Sequence, residues 1–236
     1  MRKTDVDKSY YNYFDGRPNI FLLFILKSLQ LLNKNGIISF ILPKNFLNSL
    51  YYDKTRKHIV KKYNILNIVE CEDKYLETQQ NTILLIIQNK KPTKNNKEFS
   101  LETSDYTIFG TKNNIKSLKE LLNNSTTLYN LDFKVKVGTV VWNQCKNILT
   151  DDDKKTRLIY SSDIVNNELS IKEYNNKYKK NYINKSGIKD VQLVINRGYG
   201  IGNYNFNYCL INEKENINYL VENHLICIQY TKPLTK

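Results

Sequence analysis

Cysteine and histidine are too few and too scattered in this chain to build a metal site or a disulfide framework. Cys71, Cys145, Cys209 and Cys227 stand far apart with no Cys-x-x-Cys pair, and His58 and His224 are the only histidines. Zinc sites need ligands paired at short spacing, so no metal ligand is assigned. Disulfide scaffolds need a higher cysteine density than this. No apolar run approaches the ~20 residues of a membrane-spanning helix, and the opening residues lack the apolar segment of a secretory signal. A soluble, cytoplasmic protein without a membrane partner is therefore expected. The glycine-punctuated stretch Asn196-Arg197-Gly198-Tyr199-Gly200-Ile201-Gly202-Asn203-Tyr204 is not Gly-x-Gly-x-x-Gly and does not join a strand to a helix. A dinucleotide fingerprint is excluded on that ground.

What the chain does have is positive charge and aromatic rings. Its 236 residues carry 36 Lys and Arg against 23 Asp and Glu, a formal charge of +13, with 18 Tyr and 9 Phe. The length suits one large domain or two modest ones. A basic, aromatic-rich surface suits a polyanion whose bases can stack, meaning nucleic acid. A merely solubilising surface explains the charge equally well.

The stretch from Gly16 to Leu50 organises the first half. Ile20, Leu23, Phe24, Lys27, Leu31 and Leu32 recur at near-helical spacing, and Leu22, Leu26 and Leu29 widen the apolar stripe. Asn33-Lys34-Asn35-Gly36 supplies residues that tolerate the left-handed backbone of a helix end. Ile37 to Leu42 then reads as a strand buried on both faces, ended by Pro43. Helix, glycine turn, strand and proline exit predict the αβ half of a doubly wound parallel sheet. Ligands of such sheets lie beyond the carboxyl ends of the strands, which puts Pro43, Lys44 and Asn45 near the expected site.

Tyr51 to Lys62 predicts a basic amphipathic helix with Arg56 and Lys57 on a solvated face. Strands follow at Ile65–Glu70 and Ile83–Ile87, separated by a polar, amide-rich loop. That loop would bring Tyr75, Gln79, Gln80, Asn81 and Thr82 to the rim, where amides can meet base edges and a ring can stack on a base. Lys90 to Ser100 has the composition of a connector, and the domain boundary is expected there. Asn113 to Asn124 predicts a helix. Short strands then follow at Phe133–Val137, Thr139–Trp142, Arg157–Ile159, Val191–Ile195 and Tyr208–Ile211, a mostly β module. In it Arg197, Tyr199, Asn203 and Tyr204 form an arginine and tyrosine loop suited to lie along DNA.

These runs resemble one known family. GRPNIFLLFILKSLQLLNKNGIISFILPKNFLNSLYYDKTRKHI, followed by DKYLETQQNTILLIIQNKK, is similar to the distal part of the catalytic domain of gamma-class, TaqI-like and Eco57I-like, adenine-N6 DNA methyltransferases. Asn19-Ile20-Phe21 matches the opening of a family helix, and Gly36 to Pro43 matches a Gly-turn-strand-Pro unit. Tyr75 best matches the aromatic that packs on the flipped adenine, with Gln79 to Thr82 continuing that motif. VKVGTVVWNQCKNILTDD, RLIYSSDI, NRGYGIGNYNFNYCLI and ENHLICI resemble the family's target-recognition domain, which adds Trp142 and Asn143 to the DNA-binding candidates.

The resemblance implies an α/β fold: a partial Rossmann-like methyltransferase sheet in residues 1–95, a linker and connecting helix in 96–127, and a mostly β, target-recognition domain in 128–236. It implies S-adenosyl-L-methionine as cofactor of the complete enzyme, double-stranded DNA as partner, and a restriction–modification setting with a cognate restriction endonuclease. The departure is as informative. The family's Asn-Pro-Pro-Tyr and its glycine-rich donor loop occur nowhere in the 236 residues, so no catalytic residue is assigned. A fragment is expected, completed by an upstream methylase part and inactive alone. The alternatives are a non-catalytic DNA-binding or specificity protein, and the methylase–specificity part of a fused type II restriction enzyme.

Overall fold

The first helix, α1 (Ile20–Leu31), opens on Asn19, whose side-chain oxygen accepts from the Phe21 amide at 3.3 Å. The computed structural model describes residues 2–16, 19–71, 80–174, 177–197, 206–211 and 216–232. Two compact units divide it, 1–125 and 126–236. The stretch 90–100, with its connector-like composition, lies inside the first unit.

Leu22, Ile25, Leu26 and Leu29 are the buried face of α1, while Ile20, Phe24 and Leu31 are exposed. The expected inward stripe is thus in part the outward one, because α1 is apolar on both sides and periodicity alone does not choose between them. Asn35 takes the left-handed conformation (φ 63°) after the helix. At Gly36 a Cβ would meet the Asn33 carbonyl oxygen at 2.9 Å, so the turn requires glycine for closeness.

Strands β1 (Ile37–Pro43), β2 (Asn64–Cys71) and β3 (Thr82–Gln88) form a sheet in the order β1-β3-β2, with β3 antiparallel to both neighbours. This corrects the parallel pairing expected from the αβ pattern. Helix α2 (Asp53–Lys62) carries the chain from β1 to β2. Cys71 and Pro43 both pair with Thr82, so the chain leaves β2 and enters β3 at one rim. A strand re-entering where its predecessor left must run the opposite way. Nor is β1 buried on both faces. Ile37 and Ile41 are 60% and 63% exposed, and Leu42 is its only buried residue.

One face of this sheet, with Leu42, Ile83, Leu85, Ile87, Ile65 and Ile68, packs on α1, α2 and the opening residues through Leu22, Ile25, Ile59, Val6 and Phe14. A short helix, α3 (Asn96–Phe99), then strands β4 (Ser100–Glu102) and β5 (Thr107–Phe109) and helix α4 (Lys112–Asn123), complete the unit. The Asn-rich stretch before α3 serves the start of β2. Buried Asn96 accepts from the Ile65 amide at 2.7 Å and donates to the Tyr63 carbonyl at 2.9 Å. Asn95 donates to the Ile65 carbonyl at 2.7 Å. Polar composition here satisfies strand backbone beside a register shift between Ile65 and Asn67.

The second unit holds β6 (Phe133–Val137), β7 (Leu149–Thr150), β8 (Thr156–Ile159), β9 (Ile164–Val165), β10 (Glu168–Leu169), β11 (Tyr182–Ile183), β12 (Gln192–Asn196), β13 (Tyr208–Ile211), β14 (Tyr219–Val221) and β15 (Leu225–Tyr230). Strands β13-β12-β15-β6 form an antiparallel sheet, and β14-β8-β11-β7 a mixed one in which β14 and β8 are parallel. Thr139–Trp142, expected as a strand, contributes an isolated bridge between Val140 and Glu222 and the start of a 3₁₀ turn. Gly138, just before it, passes very close to the Glu222 backbone. A Cβ on it would lie 2.0 Å from the Glu222 carbonyl oxygen.

Candidate functional site

Three strand ends meet at one rim of the first sheet. Pro43, Thr82 and Cys71 lie in one row across β1, β3 and β2. The Lys44 amide donates to the Asn81 carbonyl at 2.8 Å, which ties the Pro43-Lys44-Asn45 exit to the amide-rich entry of β3. Pro43 and Thr82 are half-buried, and Lys44, Asn45, Gln80 and Asn81 are exposed. The described members of the expected base-pocket set are therefore neighbours at the rim. Tyr75 and Gln79 lie outside the described residues.

Two partners at the rim were not legible from sequence. Lys44 Nζ pairs with Glu70 Oε2, and Glu70 Oε1 accepts from Asn114 Nδ2 at 3.0 Å. The carboxylate of β2 thus joins the exit of β1 to helix α4. Beside it opens a cleft of about 540 Å³ lined by Lys44, Leu47, Asn48, Glu70, Ile108, Phe109, Gly110, Asn114, Ser117, Leu118 and Leu121. Apolar walls with a few convergent polar groups are the usual make-up of a small-ligand site, and the size admits a nucleobase. Glu70 closes an apolar strand and Asn114 follows the Thr111 cap, so the only advance signal was their polarity at element ends.

Buried Arg56 sets both walls of this cleft. Its Nε donates to the Thr107 carbonyl at 2.6 Å, and its Nη1 donates to the carbonyls of Phe46 and Ser49, each at 2.8 Å. Nη2 faces Asp53 Oδ1 at 3.6 Å. Arg56 is fully buried, which corrects its expected place on a solvated face. Burial pushes its pKa down to about 10, with the Asp53 carboxylate opposing. Charge alone predicts a surface position; backbone carbonyls on two sides supply what water would have given.

In the second unit, Arg197 follows β12 and is exposed. Its amide donates to the His224 carbonyl and its Nη1 to the Asn223 carbonyl, both at 3.0 Å, so the side chain lies along the turn before β15. Trp142 is half-buried against the core around Leu158 and Tyr160, with Lys146 Nζ 5.9 Å from its ring centroid. Asn143 is exposed. Tyr199, Asn203 and Tyr204 lie outside the described residues.

The same unit contains a polar cluster that sequence reasoning missed. Lys179 Nζ sits 4.1 Å and 3.9 Å from the ring centroids of Tyr160 and Tyr174. Tyr174 donates to Asp163 Oδ1 at 3.0 Å and touches the Ser162 hydroxyl. Burial holds the Lys179 ammonium below its usual range and pushes the Tyr174 hydroxyl up to about 12. The bonds of Asp163 to the Tyr160 and Lys172 amides, at 2.9 Å and 3.1 Å, identify the cluster as a strap for this loop.

Comparison with known proteins bears on the first of these regions. Residues 1–76 match the family described as Eco57I restriction-modification methylase. That match covers about a third of the chain. Over 55 residues the chain is 34% identical to the type II methyltransferase M.AccI of Acinetobacter calcoaceticus. That alignment covers 23% of this chain and 10% of that protein. The matched segment contains α1, β1, α2 and β2, hence Pro43, Lys44, Asn45 and Glu70 of the rim.

The residues present do not fit S-adenosylmethionine. The rim offers a Lys44–Glu70 pair and amides, and among the described residues no glycine-rich turn of the kind that lets backbone approach a nucleotide-like ligand joins a strand to a helix. Among the described residues no group of three His, Cys, Asp or Glu could hold a metal ion, and no helix is long and apolar enough to cross a membrane.

Proposed function

We propose that these residues form the acceptor side of a site-specific DNA adenine-N6 methyltransferase in a restriction–modification system. Residues 1–95 would be the distal part of the catalytic sheet, 96–127 the connection and 128–236 the target-recognition module. The observation that carries this reading is the rim. Pro43 and Lys44 lie in the segment that matches the methylase model, Pro43 shares a row with Thr82 and the Lys44 amide donates to the Asn81 carbonyl, so both described parts of the expected base-pocket set converge. Extruding an adenine from duplex DNA costs about a few kcal/mol. Stacking on an aromatic returns roughly 1–3 kcal/mol per base, the role assigned to Tyr75.

Methyl donor and Asn-Pro-Pro-Tyr residues would come from a further methylase part, in the same polypeptide or another. Open apolar surface in the first unit supports this. Beyond its pairing with β3, β1 has no partner strand among the described residues, and Ile37, Ile41 and Val69 stand exposed on the outward face of the sheet. Ile20, Phe24 and Leu31 of α1 are exposed as well. A sheet built from alternating αβ elements is ordinarily covered on both faces.

A binding comparison tests the pocket. Tyr75→Ala should weaken binding to duplex carrying an abasic or mismatched target more than binding to ordinary duplex. An equal effect on both would remove Tyr75 from the pocket.

A further inference from the structure

Arg157, in β8, is a buried cation that the second unit leaves almost without partners. It is 9% exposed. Its strand lies between β14 and β11, with Tyr219 and Tyr182 opposite it in register. The guanidinium carbon lies 4.9 Å from the Tyr182 ring centroid. A guanidinium has five N–H donors, and here one is engaged: Nη2 donates to the Lys172 carbonyl at 3.4 Å, a long bond. Nε is sealed from solvent with no acceptor. Nη1 has no acceptor either, but it is open to solvent. Among the described residues no carboxylate is in ion-pair contact with Arg157. Asp163, a buried carboxylate of the same unit, is taken up by the Tyr160 and Lys172 amides and the Tyr174 hydroxyl.

Arg56 gives the contrast. Also buried, it has three backbone carbonyls at 2.6–2.8 Å and the Asp53 carboxylate beside it. A desolvated guanidinium is costly unless acceptors or an anion replace its water, and a ring face offsets only part of that cost. We propose that Arg157 seats a phosphate-type oxyanion, held by the open N–H groups of the guanidinium and entering from the Nη1 end. The planar fork takes phosphate oxygens in pairs, and the Tyr182 ring fixes its plane.

The surroundings favour phosphate. The stretch from Ser170 to Tyr182 supplies both the Lys172 carbonyl and the Tyr182 ring, and it holds Lys172, Lys177, Lys179 and Lys180 against Glu173 alone. Of these lysines Lys180 is paired, with Asp151. A field of that sign gathers anions at the guanidinium. A carboxylate would spend both oxygens on the fork, whereas a phosphate keeps further oxygens for the neighbouring ammonium groups. The phosphate is either free or part of a nucleic-acid backbone. The second source rests on the DNA-binding reading of this unit; the seat itself does not.

Thermal unfolding of the intact chain, in chloride and in inorganic phosphate at equal ionic strength, tests the seat. Fluorescence of Trp142, the sole tryptophan, reports on this unit. Phosphate should raise the wild-type midpoint, and Arg157→Met should need roughly tenfold more phosphate or better for the same rise. In chloride Arg157→Met should match or exceed the wild-type midpoint, because it removes a charge that the fold does not compensate. Arg157→Lys, which keeps a charge but loses the fork, should fall below both. DNA titrations across a salt series separate the two sources. With a backbone phosphate, Arg157→Met makes the slope of log affinity against log salt shallower by about one; with free phosphate the slope is unchanged and only the thermal response is lost. A chain that binds no DNA removes the DNA reading and leaves the thermal response to decide. A chloride midpoint that drops in Arg157→Met overturns the proposal, since the guanidinium is then satisfied within the fold. So do a phosphate response and a DNA slope that are both the same in wild type and Arg157→Met.

Discussion

Replacing Arg56 by Met would test how the candidate cleft is held together. Methionine keeps most of the side-chain volume, so the change isolates the polar contribution. Three carbonyls, those of Phe46, Ser49 and Thr107, lose a charged donor inside the protein. Each orphaned buried acceptor costs about 1–3 kcal/mol. Removing a desolvated guanidinium offsets part of that sum. Asp53 keeps two partners, Lys57 Nζ and the Thr107 amide, at 2.8 Å and 2.7 Å, so it is not stranded. The net expectation is about 3 kcal/mol of lost stability, with Arg56→Lys milder because the charge stays. Urea unfolding by far-UV circular dichroism measures it, with fluorescence of Trp142, the sole tryptophan and a residue of the second unit, as internal reference. A loss below about 1 kcal/mol would refute the reasoning, since the carbonyls would then be solvated without Arg56.

Three further outcomes are expected. Asn96→Ala should cost about 2–4 kcal/mol in the same unfolding assay, because the Ile65 amide and Tyr63 carbonyl lose their partner together. Burial and nearby Lys62 hold the pKa of His58 below 6.5. The unfolded chain therefore binds the proton more tightly, so stability should fall as pH drops through 6.5, and His58→Phe should flatten that slope in denaturation midpoints taken across pH. Arg197→Ala should reduce specific DNA affinity by about 1–3 kcal/mol if the side chain reads a guanine edge. A uniform loss across sequences with a shallower salt slope, seen in binding titrations, would make it a phosphate contact.

Much of the element order was legible because run lengths and punctuation agree with local physics. The Gly36 turn, the β3 run and the β6 and β13 strands fall where apolar pattern and turn residues put them. Three things were not. The inward face of α1 is undecided when Ile20, Phe24 and Leu31 are as apolar as Leu22, Ile25 and Leu29. Strand order leaves no periodic trace, so the insertion of β3 between β1 and β2 was hidden. Polar residues that serve the backbone look like surface residues, as Asn95, Asn96 and Arg56 do. At the rim, Pro43, Lys44, Asn81 and Thr82 were visible because they flank apolar runs. Glu70 and Asn114 meet only after α4 has folded back, across 44 residues of chain.

The most direct measurement is methyl incorporation into DNA by the purified 236-residue chain, alone and after addition of a methylase part carrying Asn-Pro-Pro-Tyr and the donor loop. The account predicts DNA binding without methyl transfer for the chain alone, and N6-methyladenine only in the mixture. Methyl transfer by the chain alone, or a chain that binds no DNA, would contradict it.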